Sequence, residues 1–308
     1  MILCIGEILA DMIGTVKDGS VWYERKAGGA PFNVACAAKK FGAEVVFAGS
    51  VGDDLIGDFL IDFAKKQNLD GIIIDRDVKH NTTLAFVELD EKGERSFCFY
   101  RRNTADYNLP YISQNVFAEA NTVHIGSLML SEKAGFEYAE SIAKRAREAG
   151  KIISFDINYR TDIFQDMQSA VKVYKKIISY ADIVKFSEDE VEVFTEKYIE
   201  KELGDKLVCI SLGGNGSEWR YKGKSNRVPS IKVKPVDTTG AGDAFYAGVL
   251  SRLDKIAPAL WTEETLNDVF EFANVCGALN TLGRGAIDCL PDSEDIARAM
   301  KLKSDRGN

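Results

Sequence analysis

The sequence predicts an α/β fold with a mostly parallel central sheet and a small antiparallel β lid. Short apolar runs alternate with helical patterns along the chain. Two charged Asp/Gly turns interrupt that alternation early, and a Gly-Ala-Gly-Asp run late in the chain sits where a loop becomes a helix. Apolar runs at 2–5, 45–48, 72–74, 122–125, 152–155, 183–186 and 207–210 read as buried strands. Between them, 31–41, 54–67, 132–149 and 167–180 carry helical periodicity, and Gly150 stops the third of these. Strands alternating with helices build a mostly parallel sheet covered on both faces, with ligands at the carboxyl ends of its strands.

Two segments break the pattern. Residues 12–16 and 21–24 flank Lys17-Asp18-Gly19-Ser20, and 83–89 and 96–101 flank Asp90-Glu91-Lys92-Gly93-Glu94; both read as hairpins. Together they form a projecting lid, inserted at 12–27 and 81–103 in a single domain of 1–308. An isolated flap carrying Trp22, Phe86, Phe97, Phe99 and Tyr100 exposes aromatic surface unless a ligand or a second copy covers it. A homodimer through the lid is therefore expected.

Composition narrows the class. The 308 residues are 45% hydrophobic and 28% charged, as in a globular protein able to bury a core. A net charge of −8 argues against broad nucleic-acid binding. No apolar run approaches the ~20 residues of a membrane span, and the first residues read as a core strand, not a signal peptide. Cys4, Cys36, Cys98, Cys209, Cys276 and Cys289 are scattered without Cys-x-x-Cys spacing, so free thiols in a cytoplasmic protein are expected.

The run Pro235-Val236-Asp237-Thr238-Thr239-Gly240-Ala241-Gly242-Asp243-Ala244-Phe245 carries the chemistry. A helix start presents backbone N–H groups without partners, and small residues let a phosphate approach them. Asp243, in the first turn, adds a carboxylate beside that anion hole. The pair suits phosphoryl transfer to a hydroxyl. Ordinary turn chemistry with dipole compensation explains a bare Gly-x-Gly-Asp equally well. A second run, Ala27-Gly28-Gly29-Ala30-Pro31-Phe32-Asn33, opens another helix, with Pro31 at its first position. Asn33 is either a helix cap or a group addressing a polyol hydroxyl.

Together these runs resemble the two signatures of the PfkB (ribokinase-like) carbohydrate kinases. Gly6-Glu7-Ile8-Leu9-Ala10-Asp11, Phe99-Tyr100-Arg101, Ala105-Asp106, Asp156-Ile157-Asn158-Tyr159-Arg160 and Gly285-Ala286-Ile287 are similar to the fructokinase branch. The resemblance implies a three-layer αβα sandwich and transfer of the γ-phosphoryl group of ATP, with Mg²⁺, to a sugar hydroxyl, with fructose as the acceptor. It makes Asp243 the general base, with Gly240, Ala241 and Gly242 as the anion hole. Asp11, Gly28, Gly29, Asn33 and Arg101 become sugar contacts, with Asp11 at the end of the first strand and Arg101 reaching in from the lid. Arg160 meets substrate or phosphate charge, or makes a surface salt bridge.

For the nucleotide, the resemblance implies Lys185, the turn Ser211-Leu212-Gly213-Gly214-Asn215-Gly216, and Asn274 and Gly277 beside adenine. Ser187-Glu188-Asp189-Glu190 stands where the family carries Asn-x-x-Glu; Glu190 would hold magnesium through water, and the same run is a capping box. Asp237 and Thr239 match the monovalent-cation site, potassium, of those members that use one. Related acceptors remain open, namely 2-keto-3-deoxygluconate, ribose and ribosides, as does a non-catalytic sensing module. A Rossmann dehydrogenase fails because no Gly-x-Gly-x-x-Gly follows the first strand. Gly223-Lys224-Ser225 lacks the leading glycine of a Walker motif, and His124 reads as a satisfied strand residue.

Overall fold

Strands apolar on both faces need cover on both faces, and here helices supply it. The computed structural model describes residues 1–89, 95–164 and 166–307; the second lid turn, at 90–94, and the side chain of Phe97 lie outside the described set. The first half runs β1 (Ile2–Ile5), β2 (Leu9–Lys17), β3 (Ser20–Gly28), α1 (Ala30–Lys40), β4 (Val45–Gly52), α2 (Leu55–Lys65), β5 (Gly71–Asp77), β6 (Leu84–Leu89) and β7 (Arg95–Tyr100). It continues through α3 (Gln114–Glu119), β8 (Thr122–Ile125), α4 (Lys133–Glu148), β9 (Ile152–Asp156), α5 (Met167–Ile178), β10 (Ile183–Ser187), α6 (Glu188–Phe194) and α7 (Glu196–Glu202). Last come β11 (Leu207–Ser211), β12 (Ser217–Tyr221), β13 (Lys224–Val228), α8 (Ala241–Leu253), α9 (Glu263–Asn280) and α10 (Ser293–Gly307).

The nine-stranded sheet has the order β13-β12-β11-β10-β9-β8-β1-β4-β5. From β11 to β5 every pairing is parallel; β12 and β13 add an antiparallel hairpin at one edge. Its turn, Lys222-Gly223 with both φ positive, disposes of the Walker look-alike. Alternation along β1 splits the core. Ile2 and Cys4 pack with Phe32 and Val34 of α1, Phe245 and Val249 of α8 and Phe270 of α9. Leu3 and Ile5 face Ile142 of α4, Tyr174 and Ile177 of α5 and Phe194 of α6. The result is the three-layer αβα sandwich, with every expected core strand found at or within a few residues of its expected bounds.

The lid is a second, four-stranded sheet of order β3-β2-β6-β7. Each hairpin is antiparallel, as expected; the seam joining them, β2 against β6, is parallel. The first hairpin is longer at its root than expected, β2 starting at Leu9 and β3 running on to Gly28. Asp11 consequently sits inside a lid strand, paired in register with Lys26, and not at the end of the first core strand. The apolar run Ile8-Leu9-Ala10 had masked this change of sheet. Val16, Val21, Trp22 and Tyr100 are more than half exposed on the lid.

His124 is buried, bonded to Ser154 Oγ at 3.1 Å, and burial lowers it to about 3, so it is a neutral core residue. All six cysteines are free thiols, four of them buried, with Cys98 exposed and Cys289 partly so. Among the described residues no helix is long and apolar enough to cross a membrane.

Candidate active site

The chain moves from β1 outward to β4 and β5, then returns to add β8 to β11 on the other side of β1. A crevice opens at the carboxyl ends of strands where such a reversal occurs. Around it stand the starts of α1 and α8 and the carboxyl ends of β1, β8, β9 and β10.

Helix α1 begins after Gly29, which has φ 106° and sits so close to β1 that a Cβ there would lie 2.4 Å from the Glu7 carbonyl oxygen. The helix starts at Ala30, which puts Pro31 in its second position. Gly28 has a different reason to be small: its missing Cβ would lie 2.2 Å from Asp11 Oδ2, so the Asp11 carboxylate rests on it. One turn into α1, Asn33 is buried and donates from Nδ2 to Asp243 Oδ2 at 2.8 Å. Its Oδ1 is buried with no partner, an acceptor facing a place where a hydroxyl fits.

Helix α8 begins at Gly240, left-handed at φ 73°. A Cβ there would meet Ala286 Cβ at 2.5 Å, so the 283–290 loop is locked against this helix start. Of the N–H groups at this helix start, that of Ala241 donates back to the Thr238 carbonyl at 3.2 Å. Those of Gly242 and Asp243 have no backbone acceptor among the described residues and remain available. Gly242 has open space around its Cα, its nearest neighbour being Lys185 Nζ at 3.6 Å from a Cβ position.

Behind these N–H groups lies a charge cluster. Lys185 of β10 is buried and bonds both oxygens of Asp156, one strand away in register, at 2.9 Å each. Burial opposes the lysine's charge, but Asp156, Glu190 and Asp243 together hold it protonated and raise its pKa. Burial, with Asp243 adding to it, pushes the Asp156 carboxyl up. Asp243 itself is raised by burial, while Lys185, the Asn33 hydrogen bond and Arg160 pull the other way. Arg160 is exposed at the end of β9, close enough to act on both carboxylates. Glu190 is committed to the backbone: Oε1 accepts from Tyr159 N and Oε2 from Ser187 N, each at 2.7 Å, which makes Ser187-x-x-Glu190 a capping box for α6.

Next to α8 is a cavity of about 420 Å³. Four of the residues expected around a nucleotide, Ser211, Gly213, Gly216 and Gly277, line it with Ala241 and Gly242. Asn274 lines it too, but its amide is spent on the Val228 carbonyl at 2.8 Å. Sequence reasoning missed the opposite wall, Ile231, Val233, Pro235 and Thr238. That stretch has no regular structure, and its apolar residues carry no period that would mark it. It also missed Asp156 as the partner of Lys185, a pairing fixed only by the register of two parallel strands.

One expectation changes. Arg101 does not reach freely from the lid: it is 5% exposed, and its guanidinium is bonded to Asp106, Tyr107, Leu128 and Ser131. Asp237 serves as a loop brace, Oδ1 accepting from Thr239 N and Oγ1 at 2.7 Å and Oδ2 from Gly285 N at 3.0 Å.

Residues 1–293 match the model of the pfkB family carbohydrate kinases. Probable fructokinase-5 of Arabidopsis thaliana is 36% identical, across 99% of this chain and 98% of its own. A fructokinase from Xylella fastidiosa with bound ATP superposes with a TM-score of 0.90 at 30% identity, covering 98% of each chain. A double mutant of the Vibrio cholerae O395 fructokinase, with fructose, ADP and potassium bound, superposes with a TM-score of 0.87 at 29% identity, covering 97% of each.

Proposed function

Because this chain belongs to the pfkB family of carbohydrate kinases, we propose that it is an ATP-dependent fructokinase with Asp243 as its general base. The observation that carries the reading is the 2.8 Å hydrogen bond from Asn33 to Asp243. It ties the polyol-facing helix start to the helix start whose N–H groups border the nucleotide-sized cavity. Asp11 and Asn33 Oδ1 orient the sugar by accepting its hydroxyls. Asp243 takes the proton of the attacking hydroxyl, and the N–H groups of Gly242 and Asp243 stabilise charge on the transferring phosphoryl group. Lys185, held beside Gly242 by Asp156, adds positive charge there. The apolar wall of Ile231, Val233 and Pro235 suits a flat base.

Three buried carboxylates, Asp156, Glu190 and Asp243, against the buried Lys185 and the exposed Arg160 leave the site short of positive charge, which suits a hydrated Mg²⁺ carried in on ATP. Among the described residues no group of three or more His, Cys, Asp or Glu side chains is placed to hold a metal by itself. Glu190 and Asp156 are the residues that would hold its water shell. When bound, the ion neutralises phosphate charge and aligns the γ-phosphoryl group. A potassium ion at Asp237 and Thr239 belongs to the same reading.

An ADP-release assay across fructose, ribose, 2-keto-3-deoxygluconate and nucleosides tests it. Release is expected with fructose, lost with EDTA, restored by Mg²⁺ and enhanced by potassium. Release with a nucleoside alone overturns the fructose assignment, and none with any acceptor overturns the enzyme. The free thiols fit a reducing, cytoplasmic setting. The exposed Val16, Val21, Trp22 and Tyr100 fit a second copy over the lid, so light scattering at micromolar concentration is expected to give twice the chain mass. A single chain mass there removes the dimer.

A further inference from the structure

All four lid strands are rooted at one place, and a buried cation stands there. Asp106 is 1% exposed and collects the roots. Its Oδ1 accepts from Thr83 Oγ1 at 2.5 Å and from Thr104 Oγ1 at 2.7 Å. Thr83 immediately precedes β6, and its carbonyl also accepts from Ala10 N of β2 at 3.2 Å. Oδ2 of Asp106 accepts from Arg101 Nε at 2.6 Å, and Arg101 immediately follows β7.

Arg101 then joins this knot to the main body. Its Nη1 donates to the Leu128 carbonyl at 2.7 Å and to Ser131 Oγ at 3.0 Å, both in the turn after β8. Its guanidinium also lies over the Tyr107 ring, 4.1 Å from the centroid, and bonds that hydroxyl at 2.7 Å. On the β1 side stands Glu7, wholly buried, with neither carboxyl oxygen hydrogen-bonded. Arg101 is the group that most favours its charge. The carbonyl of Glu7 is what Gly29 closes over where β3 returns to α1. A buried ion pair of this kind adds little net stability over apolar packing. What it fixes is geometry, because each partner loses much if it turns away.

We propose that Arg101 and Asp106 are positioning residues, a buried clamp that sets how the lid sheet is held over the sugar site. The clamp touches neither ATP nor the reacting oxygen, so it acts on sugar capture. In the Asp106→Asn variant, amide hydrogen exchange in β6 and β7 is expected to accelerate about tenfold or more, with β8 and β9 unchanged. The sugar KM is expected to rise by about tenfold, with kcat and the ATP KM within about twofold. Should that variant fail to fold, Thr83→Val removes one anchoring donor at constant shape, and the same pattern is expected at about threefold.

Unchanged lid exchange overturns the clamp, as does a loss confined to kcat or shared equally by both KM values. The kinetic arm rests on the kinase reading. Exchange does not, so faster lid exchange in a protein that phosphorylates no sugar would fault that reading and leave the clamp standing.

Discussion

Asp243→Asn is expected to lose about 10²- to 10⁴-fold in kcat while still binding ATP, because it deletes the proton acceptor and little else. The amide keeps an oxygen for Asn33 Nδ2, so the contact between the two helix starts survives. It also removes one negative charge from a buried cluster in which Asp243 already pushes the Asp156 carboxyl up, so the melting temperature should hold or rise. Nucleotide titration and thermal melting separate this from unfolding, and near-normal turnover in the folded variant would refute the role. The wild type should show the same group in its pH profile. Burial raises Asp243, and the base works only when ionised. As pH falls through that raised value the carboxylate takes up a proton, so the acid limb of kcat/KM should lie above the ordinary carboxylate range.

Gly242→Val is the second large effect, and it should be an activity loss without a stability loss. A Cβ at 242 meets nothing closer than the Lys185 side chain at 3.6 Å, so the backbone there accepts a β carbon. That space is where a phosphate must come to reach the free N–H groups. Turnover with ATP is expected to fall by about 10²-fold or more, as when an oxyanion donor is lost, with melting unchanged. Gly240→Ala makes the contrast: its Cβ would collide with Ala286 in a left-handed conformation, so both stability and activity should fall. If Gly242→Val melts as early as Gly240→Ala, the open space is not what Gly242 is for.

Much of this was legible in the sequence for plain reasons. Buried parallel strands are runs of apolar residues, so β1, β8, β9, β10 and β11 announce themselves. Gly29 and Gly240 sit at helix starts that only glycine can make so tightly, and their neighbours Asn33 and Asp243 follow from helix position. The rest depends on pairing across distance. Whether Lys185 meets a phosphate or Asp156 is set by strand register, which local pattern does not carry. Whether Arg101 points out from the lid or back into its root depends on Asp106 and on a turn some thirty residues on. Ser187-x-x-Glu190 looked like a cap and like a metal site, and the hydrogen bonds place the cap without displacing the carboxylate from the charge cluster.

The bond between Asn33 and Asp243 spans 210 positions of sequence. Neither partner can find the other until the chain through α8 has been made and α8 has docked against α1. On the proposed role of Asp243 as the base, a chain that stops short of α8 is expected to be inactive. On the same reading, turnover regained on refolding is expected to report the docking of α8 against α1, a contact of long sequence separation.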